Sequence, residues 1–221
     1  MRQWRKYEKT YRINHKDFYS KGKFLLTPKE EKLLLNGKVI ITEKMDGANT
    51  GIFKKKGKIF LQKRSGNVDD SHPQFKFFKN QWYWNNYKKI KKIPDNLCVY
   101  GELMRCVHTI YYDKLPDWFL VFDVYDLKRE EYWSWDKVLD LCNKIGLHTV
   151  PFIYEGKVNK DTLKQLMPKE STYGNIAEGI VVKNYKQQLR GKLVKPSFIK
   201  DPSFNKHWSK KTATYNKLVS D

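Results

Sequence analysis

The sequence predicts an α+β fold of mainly antiparallel sheets flanked by helices. Short runs of β-branched and aromatic residues recur along the 221 residues, and single helical patterns interrupt groups of these runs in place of a regular βα alternation. Hydrophobic residues make up 40% of the chain, enough for a real core at this length. No internal repeat or Gly/Ser linker divides it, so one compact unit is expected.

The chain is polar and basic up to about Pro28. TPKEEKLLLNG then reads as a short helix with Thr27 as its cap and a glycine as its stop. Residues 38–43 (KVIITE), 50–55 (TGIFKK) and 58–63 (KIFLQK) are predicted strands, the last two forming a hairpin about Lys56-Gly57. From Pro73 to Ile93 no further Pro or Gly intervenes, which predicts a helix ended by Pro94. LCVYGELM (97–104) and WFLVFDVYD (118–126) read as core strands. SWDKVLDLCNKIG (134–146) is a capped amphipathic helix stopped by Gly146, and NKDTLKQLM is another helix. EGIVVKN (178–184) and GKLVKP (191–196) return to strand.

Lys+Arg number 44 against 24 Asp+Glu, a net charge of +20. That excess suits a polyanionic partner, with nucleic acid first among the candidates. A solubilising surface, a lysine-rich bias and an anionic membrane are the alternatives that charge alone leaves open. No apolar run is long enough to span a bilayer, and MRQWRKYEKTYRINHKDF lacks the apolar stretch of a signal peptide. A soluble, cytoplasmic protein is therefore expected. Cys98, Cys106 and Cys142 show neither CxxC spacing nor a neighbouring His set, so reduced, mostly buried thiols are expected.

The chemistry-bearing segment is Glu43-Lys44-Met45-Asp46-Gly47-Ala48-Asn49, at the end of the first predicted strand. A lysine attacks a phosphoryl or carbonyl centre only as the free amine, which burial, neighbouring cations or a metal can favour. Lys63, Arg64, Lys183 and Lys192 are candidates for such cations. Alone, K-x-D-G is equally a solvated turn. It is followed in order by KRSG at 63–66, YGE at 100–102, FDVYD at 122–126, EGIVVK at 178–183 and RGKLVK at 190–195.

Together these closely resemble the successive motifs of the covalent nucleotidyltransferase superfamily of ligases and capping enzymes. EKMDGANTGIF, GELMRCVHTIYYDKLPDWFLVFDVYD and GKLVKPSF look most like the RNA ligase family typified by phage RNA ligase 2, over residues 37–200. The resemblance implies an ATP-grasp-like adenylation core and an ATP-dependent RNA ligase that joins 3′-OH and 5′-phosphate ends, as in RNA repair. AMP is loaded onto lysine, passed to a 5′-phosphate, and expelled when a 3′-hydroxyl attacks. Lys44 matches the adenylated lysine, and Lys183 and Lys192 match the lysines that contact the ATP phosphates. Lys195 aligns with a lysine or arginine of relatives. Glu43 and Asn49 fall in the nucleotide-binding set, with Asn49 near the phosphates, and Arg64 matches an arginine for the ribose or the 5′-phosphate. Glu102 and Glu178 match carboxylates that hold ribose hydroxyls or a metal, and Phe122 an aromatic that stacks on adenine, although a strand aromatic is equally core. Asp46 also belongs to this set. It stands where the family's phage type carries histidine, while aspartate is frequent in DNA ligases and capping enzymes. The implied cofactors are ATP and Mg²⁺, with Mn²⁺ able to replace it.

This leads us to expect a basic N-terminal segment with a short helix at 1–36, an adenylation domain at 37–200 and a short basic tail at 201–221. The tail is too short for an OB domain. The expected partner is nucleic acid, either RNA or a nicked RNA/DNA duplex, with no membrane and a monomeric chain. A minimal DNA nick ligase, a GTP-using capping guanylyltransferase and a non-catalytic nucleic-acid-binding module are the competing readings. His108 is expected to be structural. Between Phe75 and Lys92, Phe77, Phe78, Trp82, Trp84 and Tyr87 interleave with lysines, which suits base stacking and phosphate contact as well as plain core packing.

Overall fold

The computed structural model describes residues 5–18, 24–200 and 213–219. The chain runs through β1 (Tyr11–Arg12), α1 (Pro28–Leu34), β2 (Lys38–Lys44), β3 (Ala48–Lys55), β4 (Lys58–Lys63) and β5 (Gly66–Asn67). A helical region follows as α2 (Pro73–Phe77), a π-turn at Phe78–Trp82, α3 (Tyr83–Asn85) and α4 (Tyr87–Ile90). Next come β6 (Leu97–Leu103), β7 (Phe119–Asp126), β8 (Glu131–Tyr132), α5 (Trp135–Ile145), β9 (His148–Thr149) and β10 (Phe152–Lys157). The last elements are α6 (Lys160–Gln165), β11 (Gly179–Asn184), β12 (Leu189–Val194) and α7 (Pro196–Lys200). The fold is α+β with predominantly antiparallel strands, as the sequence predicts.

The chain divides into two compact units, where the sequence suggested one. The first comprises Lys9–Met45 and Pro151–Lys210, the second Met1–Glu8, Asp46–Val150 and Lys211–Asp221. We call them the lysine unit and the glutamate unit, after Lys44 and Glu102. The divisions expected at 36/37 and 200/201 do not coincide with these units. β1 and α1 belong to the lysine unit, while residues 5–8 and 213–219 belong to the glutamate unit. Residues 201–212 of the expected tail lie outside the described residues.

In the lysine unit the strand order is β1-β12-β11-β2-β10, antiparallel except for β1 against β12. Alternation along the strands sends Val39, Ile41, Ile180, Val182 and Leu193 to one face, where Leu34 of α1 and Leu163 of α6 complete a buried apolar cluster. Each such side chain contributes about 1.5–3 kcal/mol on burial. α1 is set by a capping box: the Thr27 hydroxyl accepts from the Glu30 amide and the Glu30 carboxylate accepts from the Thr27 amide.

The glutamate unit holds a sheet in the order β5-β4-β3-β6-β7-β8, with β9 alongside β7. α5 packs against β7 and β9 and stops at Gly146, whose φ of 77° lies in the left-handed region. The helix expected over Pro73–Ile93 is instead broken. At the π-turn Phe78 and Trp82 stack at 5.1 Å and both lie against Phe119 of β7. The Trp82 indole N–H donates to Asp117 at 2.6 Å, and the Asn86 side chain donates to the Trp82 carbonyl at 3.0 Å. This side-chain competition for the backbone acceptor ends the regular ladder at Asn86.

Candidate active site

On the lysine unit, cross-strand register builds one cationic face. Opposite the apolar cluster, β2 presents Ile40, Thr42 and Lys44, and β11 presents Gly179, Val181 and Lys183 in register with them. On β12 the partners are Arg190, Lys192 and Val194, and Arg12 of β1 pairs beside Lys192. Arg12, Lys44, Lys183, Arg190 and Lys192 therefore share a face. Lys183 is only 1% exposed.

The Lys44 ammonium donates to Glu178 Oε2 at 2.5 Å, with the carboxylate side chain only 7% exposed. A short ion pair of this burial fixes the lysine's direction at the strand end. Gly179, the residue after Glu178, stands opposite Lys44, and a Cβ there would come within 2.0 Å of the Leu193 carbonyl oxygen. Only glycine allows the strands to approach so closely at this point. Glu43 is buried, its Oε2 accepting from the Thr172 amide at 3.0 Å. Burial, with the Glu43 charge adding to it, pushes the Tyr173 phenol up. Lys195 donates its backbone N–H to the Glu178 carbonyl at 3.0 Å, while its ammonium caps the Lys169 carbonyl at 2.8 Å. Burial lowers that ammonium's pKa below the lysine norm, against the opposing pull of Glu43.

The remaining predicted residues lie on the glutamate unit. Asn49 and Glu102 are direct cross-strand partners on β3 and β6, and Glu102 Oε1 accepts from the Gly47 amide at 3.2 Å. A Cβ on Gly47 would stand 2.6 Å from the Leu103 carbonyl oxygen and 2.9 Å from Glu102 Cγ, so the glycine of the K-x-D-G pattern lets the chain lie against β6. Phe122 sits at an irregularity where the β6–β7 register shifts by one residue. The bulge turns Phe122 and Asp123 toward Tyr7, whose ring meets Phe122 edge-on at 5.0 Å and whose hydroxyl donates to Asp123 at 2.6 Å. Arg64 is exposed in the turn after β4, and neighbouring Lys63 is held by Asp69 at 2.6 Å. His108 is buried against Gln74.

Asp46 does structural work that the sequence did not disclose. Its Oδ2 accepts from the Thr109 and Ile110 amides at 2.8 and 2.9 Å, and its own amide donates to the Tyr112 hydroxyl at 3.0 Å. Residues 213–219 hold the other side of the same loop. Asn216 donates to the Met104 carbonyl at 2.6 Å and accepts from the Tyr112 amide at 2.9 Å, and the Lys217 amide donates to the Tyr112 carbonyl at 2.9 Å. A chain of hydrogen bonds thus runs from Asn216 through Tyr112 to Asp46, two residues after Lys44.

Glu43 and Glu178 on the lysine unit, and separately Glu102 on the glutamate unit, are carboxylates of the kind a hard divalent cation takes. Glu43 Oε1 is buried with no hydrogen-bond partner among the described residues, an acceptor that a bound water or ion would satisfy. No group of three or more His, Cys, Asp or Glu side chains converges among the described residues.

The sequence profile of the RNA ligase family matches residues 37–198, a stretch that contains every one of these predicted site residues. The chain belongs to the RNA ligase family. Solved RNA ligase structures share its fold. A Naegleria gruberi RNA ligase variant with ATP and Mn superposes with a TM-score of 0.66 at 18% identity, over 80% of this chain and 55% of that one. The Naegleria gruberi enzyme with PPi gives 0.63 at 19% identity, over 80% and 54%. A further variant with AMP and Mn gives 0.60 at 17% identity, over 80% and 55%. The chain thus spans about half the length of these solved ligases. Curated protein sequences give no significant match.

Within this RNA ligase fold, sequence reasoning missed Arg12, Arg190, Thr172, Tyr7, Tyr112 and Asn216. Arg190 was within reach, since RGKLVK alternates on a strand and places it two residues from Lys192 on the same face. The others act through long-range pairing that no local pattern announces.

Proposed function

We propose that this member of the RNA ligase family is an ATP-dependent polynucleotide ligase acting on RNA ends. The observation that carries the reading is Lys44 held by Glu178 on a face shared with Lys183 and Lys192. In the first step Lys44 Nζ attacks the α-phosphorus of ATP, a P–N bond forms and pyrophosphate leaves. In the second, a 5′-phosphate oxygen takes the AMP from lysine, forming a 5′–5′ pyrophosphate link and freeing the amine. In the third, a 3′-hydroxyl attacks the same 5′-phosphate, a phosphodiester forms and AMP departs.

The ion pair keeps Lys44 as an ammonium, whereas attack needs the neutral amine. Loss of the proton must therefore accompany loosening of the Glu178 contact. A divalent cation, Mg²⁺ or Mn²⁺, drawn by Glu178, Glu43 or Glu102 would supply charge neutralisation for the carboxylate and the phosphates. The cations Lys183, Lys192 and Arg190 are suited to phosphate oxygens and to the charge that builds on them. Glu102, Asn49 and Phe122 are assigned to the nucleoside, Arg64 to ribose or 5′-phosphate. Asp46 is assigned to holding the 109–110 loop, so its identity does not select DNA over RNA. Solved relatives carrying ATP, AMP, PPi and Mn support these assignments. Among the described residues no helix is long and apolar enough to cross a membrane, and a monomer working in the cytoplasm on nicked duplexes or broken single strands is the setting we infer.

Incubation with labelled ATP tests the first step: a mass gain of one AMP is expected, absent in Lys44→Ala. Label from GTP alone would point to capping chemistry, and sealing that prefers a DNA 3′-hydroxyl would overturn the choice of RNA.

A further inference from the structure

We propose that a groove on the glutamate unit, between the helical region and the β4–β5 hairpin, binds a single-stranded stretch of nucleic acid by base stacking. The proposal rests on the ligase reading above and adds to it a substrate surface built from residues outside the catalytic set. The groove encloses about 480 Å³ and is lined by Phe60, Val68, Tyr83 and Trp84, with Asn67, Asn80 and Lys79 at its polar rim.

The aromatic content is aimed outward. Trp84 is 62% exposed and Tyr87 37%, a costly placement for rings that could be core. Tyr83, Trp84 and Tyr87 meet one another at 4.9 to 5.7 Å between ring centres, so each holds its neighbours in fixed orientation. The π-turn explains the division of labour. Its extra residue falls between the buried rings Phe78 and Trp82 and resets the helical phase for the residues after it, where Trp84 and Tyr87 are exposed, so one helical region serves both core and surface.

Charge complementarity identifies the occupant. Between Pro73 and Ile93 the sequence holds six lysines and no acidic residue. Lys54 of β3 donates to the carbonyls of Lys91 and Ile93, both at 2.9 Å, which fixes the end of the helical region to the strand beside β4. Lys58 of β4 directly precedes the lining residue Ile59 and is exposed, as are Lys56 in the β3–β4 turn and Lys91 and Lys92 at the end of the helical region. At the polar rim Asp70 contacts Lys79 and Asn80, both at 3.4 Å, so a phosphate there must compete with one carboxylate. Flat apolar faces in the middle and lysines along the edge match alternating bases and phosphates, without groups arranged to read a particular base.

The test is binding of a fluorescein-labelled oligouridylate to the full chain, read by anisotropy. Trp84→Ala should weaken it by about tenfold, and Lys56→Ala with Lys58→Ala should flatten its salt dependence. Formation of the lysyl-AMP adduct in the Trp84→Ala protein checks that the fold and the first step persist. Unchanged oligonucleotide affinity in Trp84→Ala overturns the proposal. Should Trp84→Ala lose the adduct as well, photo-crosslinking of a 4-thiouridine oligonucleotide to the unmodified protein decides. Crosslinks at Tyr83, Trp84 or Tyr87 support the groove, and crosslinks only elsewhere, or a protein partner seated there, overturn it. An unmodified chain that takes no AMP yet crosslinks at Trp84 would sink the ligase reading and leave the groove standing.

Discussion

Two sheets of similar construction carry opposite chemistry. The lysine unit backs its cationic face with an aliphatic cluster and arms it with Arg12, Lys44, Lys183, Arg190 and Lys192, of which Lys44 donates to the buried carboxylate of Glu178. The glutamate unit presents Asn49, Glu102 and Phe122, an amide, an acid and an aromatic, and supports them with Tyr7 and the Asp46 loop. The difference teaches how two sheets of one chain can specialise, each on the proposed ligase reading for a different part of a nucleotide. Phosphates demand fixed cations, which a rigid strand register supplies, whereas a nucleoside demands shaped polar and flat groups, which bulges and loops supply.

The sharpest way to break this contrast is at Lys44. Lys44→Ala should abolish the covalent AMP adduct entirely, by intact-mass measurement. Next in size, Glu178→Ala and Lys192→Ala should slow adduct formation by on the order of 100-fold, the scale seen when one fixed group serving developing charge is removed. Glu102→Ala should act differently and raise the ATP concentration needed for half-maximal rate more than it lowers the rate itself. Equal effects from all three would erase the division between phosphate and nucleoside surfaces.

The thiols sharpen the contrast in stability. Cys98, Cys106 and Cys142 all lie in the glutamate unit, are buried, and have thiols pushed up to about 12, 11 and 12 by that burial. Native protein at neutral pH should resist alkylation, so labelling during a denaturant titration reports on the glutamate unit alone. Asn216→Ala leaves buried donors and acceptors of the 104–112 loop unmatched and should cost about 1–3 kcal/mol, advancing thiol labelling to lower denaturant. The smallest effect belongs to the other unit: Thr27→Ala removes a helix cap worth about 1 kcal/mol and should leave the thiol titration where it was.

The shared cationic face was readable from the ordered motifs, because Lys44, Lys183 and Lys192 sit on strands whose alternation is local. Thr27, Gly57 and Gly146 likewise announced their turns and caps by local chemistry. The region Pro73–Ile93 was misread as one helix since nothing nearby in the sequence reveals that Asp117 and Phe119 bind Trp82. The strand β10 escaped because its EG segment interrupts the apolar pattern, and its pairing to β2 supplies the order that propensity does not. The 213–219 segment read as part of a short basic tail, yet its buried Asn216 has its partners more than a hundred residues away, at a separation of 104 from Tyr112.

That separation bears on how the protein comes to be active as it is made. A nascent chain that has emerged only through Val150 already contains Lys44, but β10, β11, β12 and Glu178 have yet to be synthesised. Its sheet has no neighbours for β2, and the cationic face has no Lys183, Arg190 or Lys192. The loop beside Asp46 waits longer still, for Asn216. On the proposed ligase reading, Lys44 therefore gains its cationic neighbours only once residues 178–192 have been made, and a chain truncated before them carries the lysine without the groups proposed to serve it.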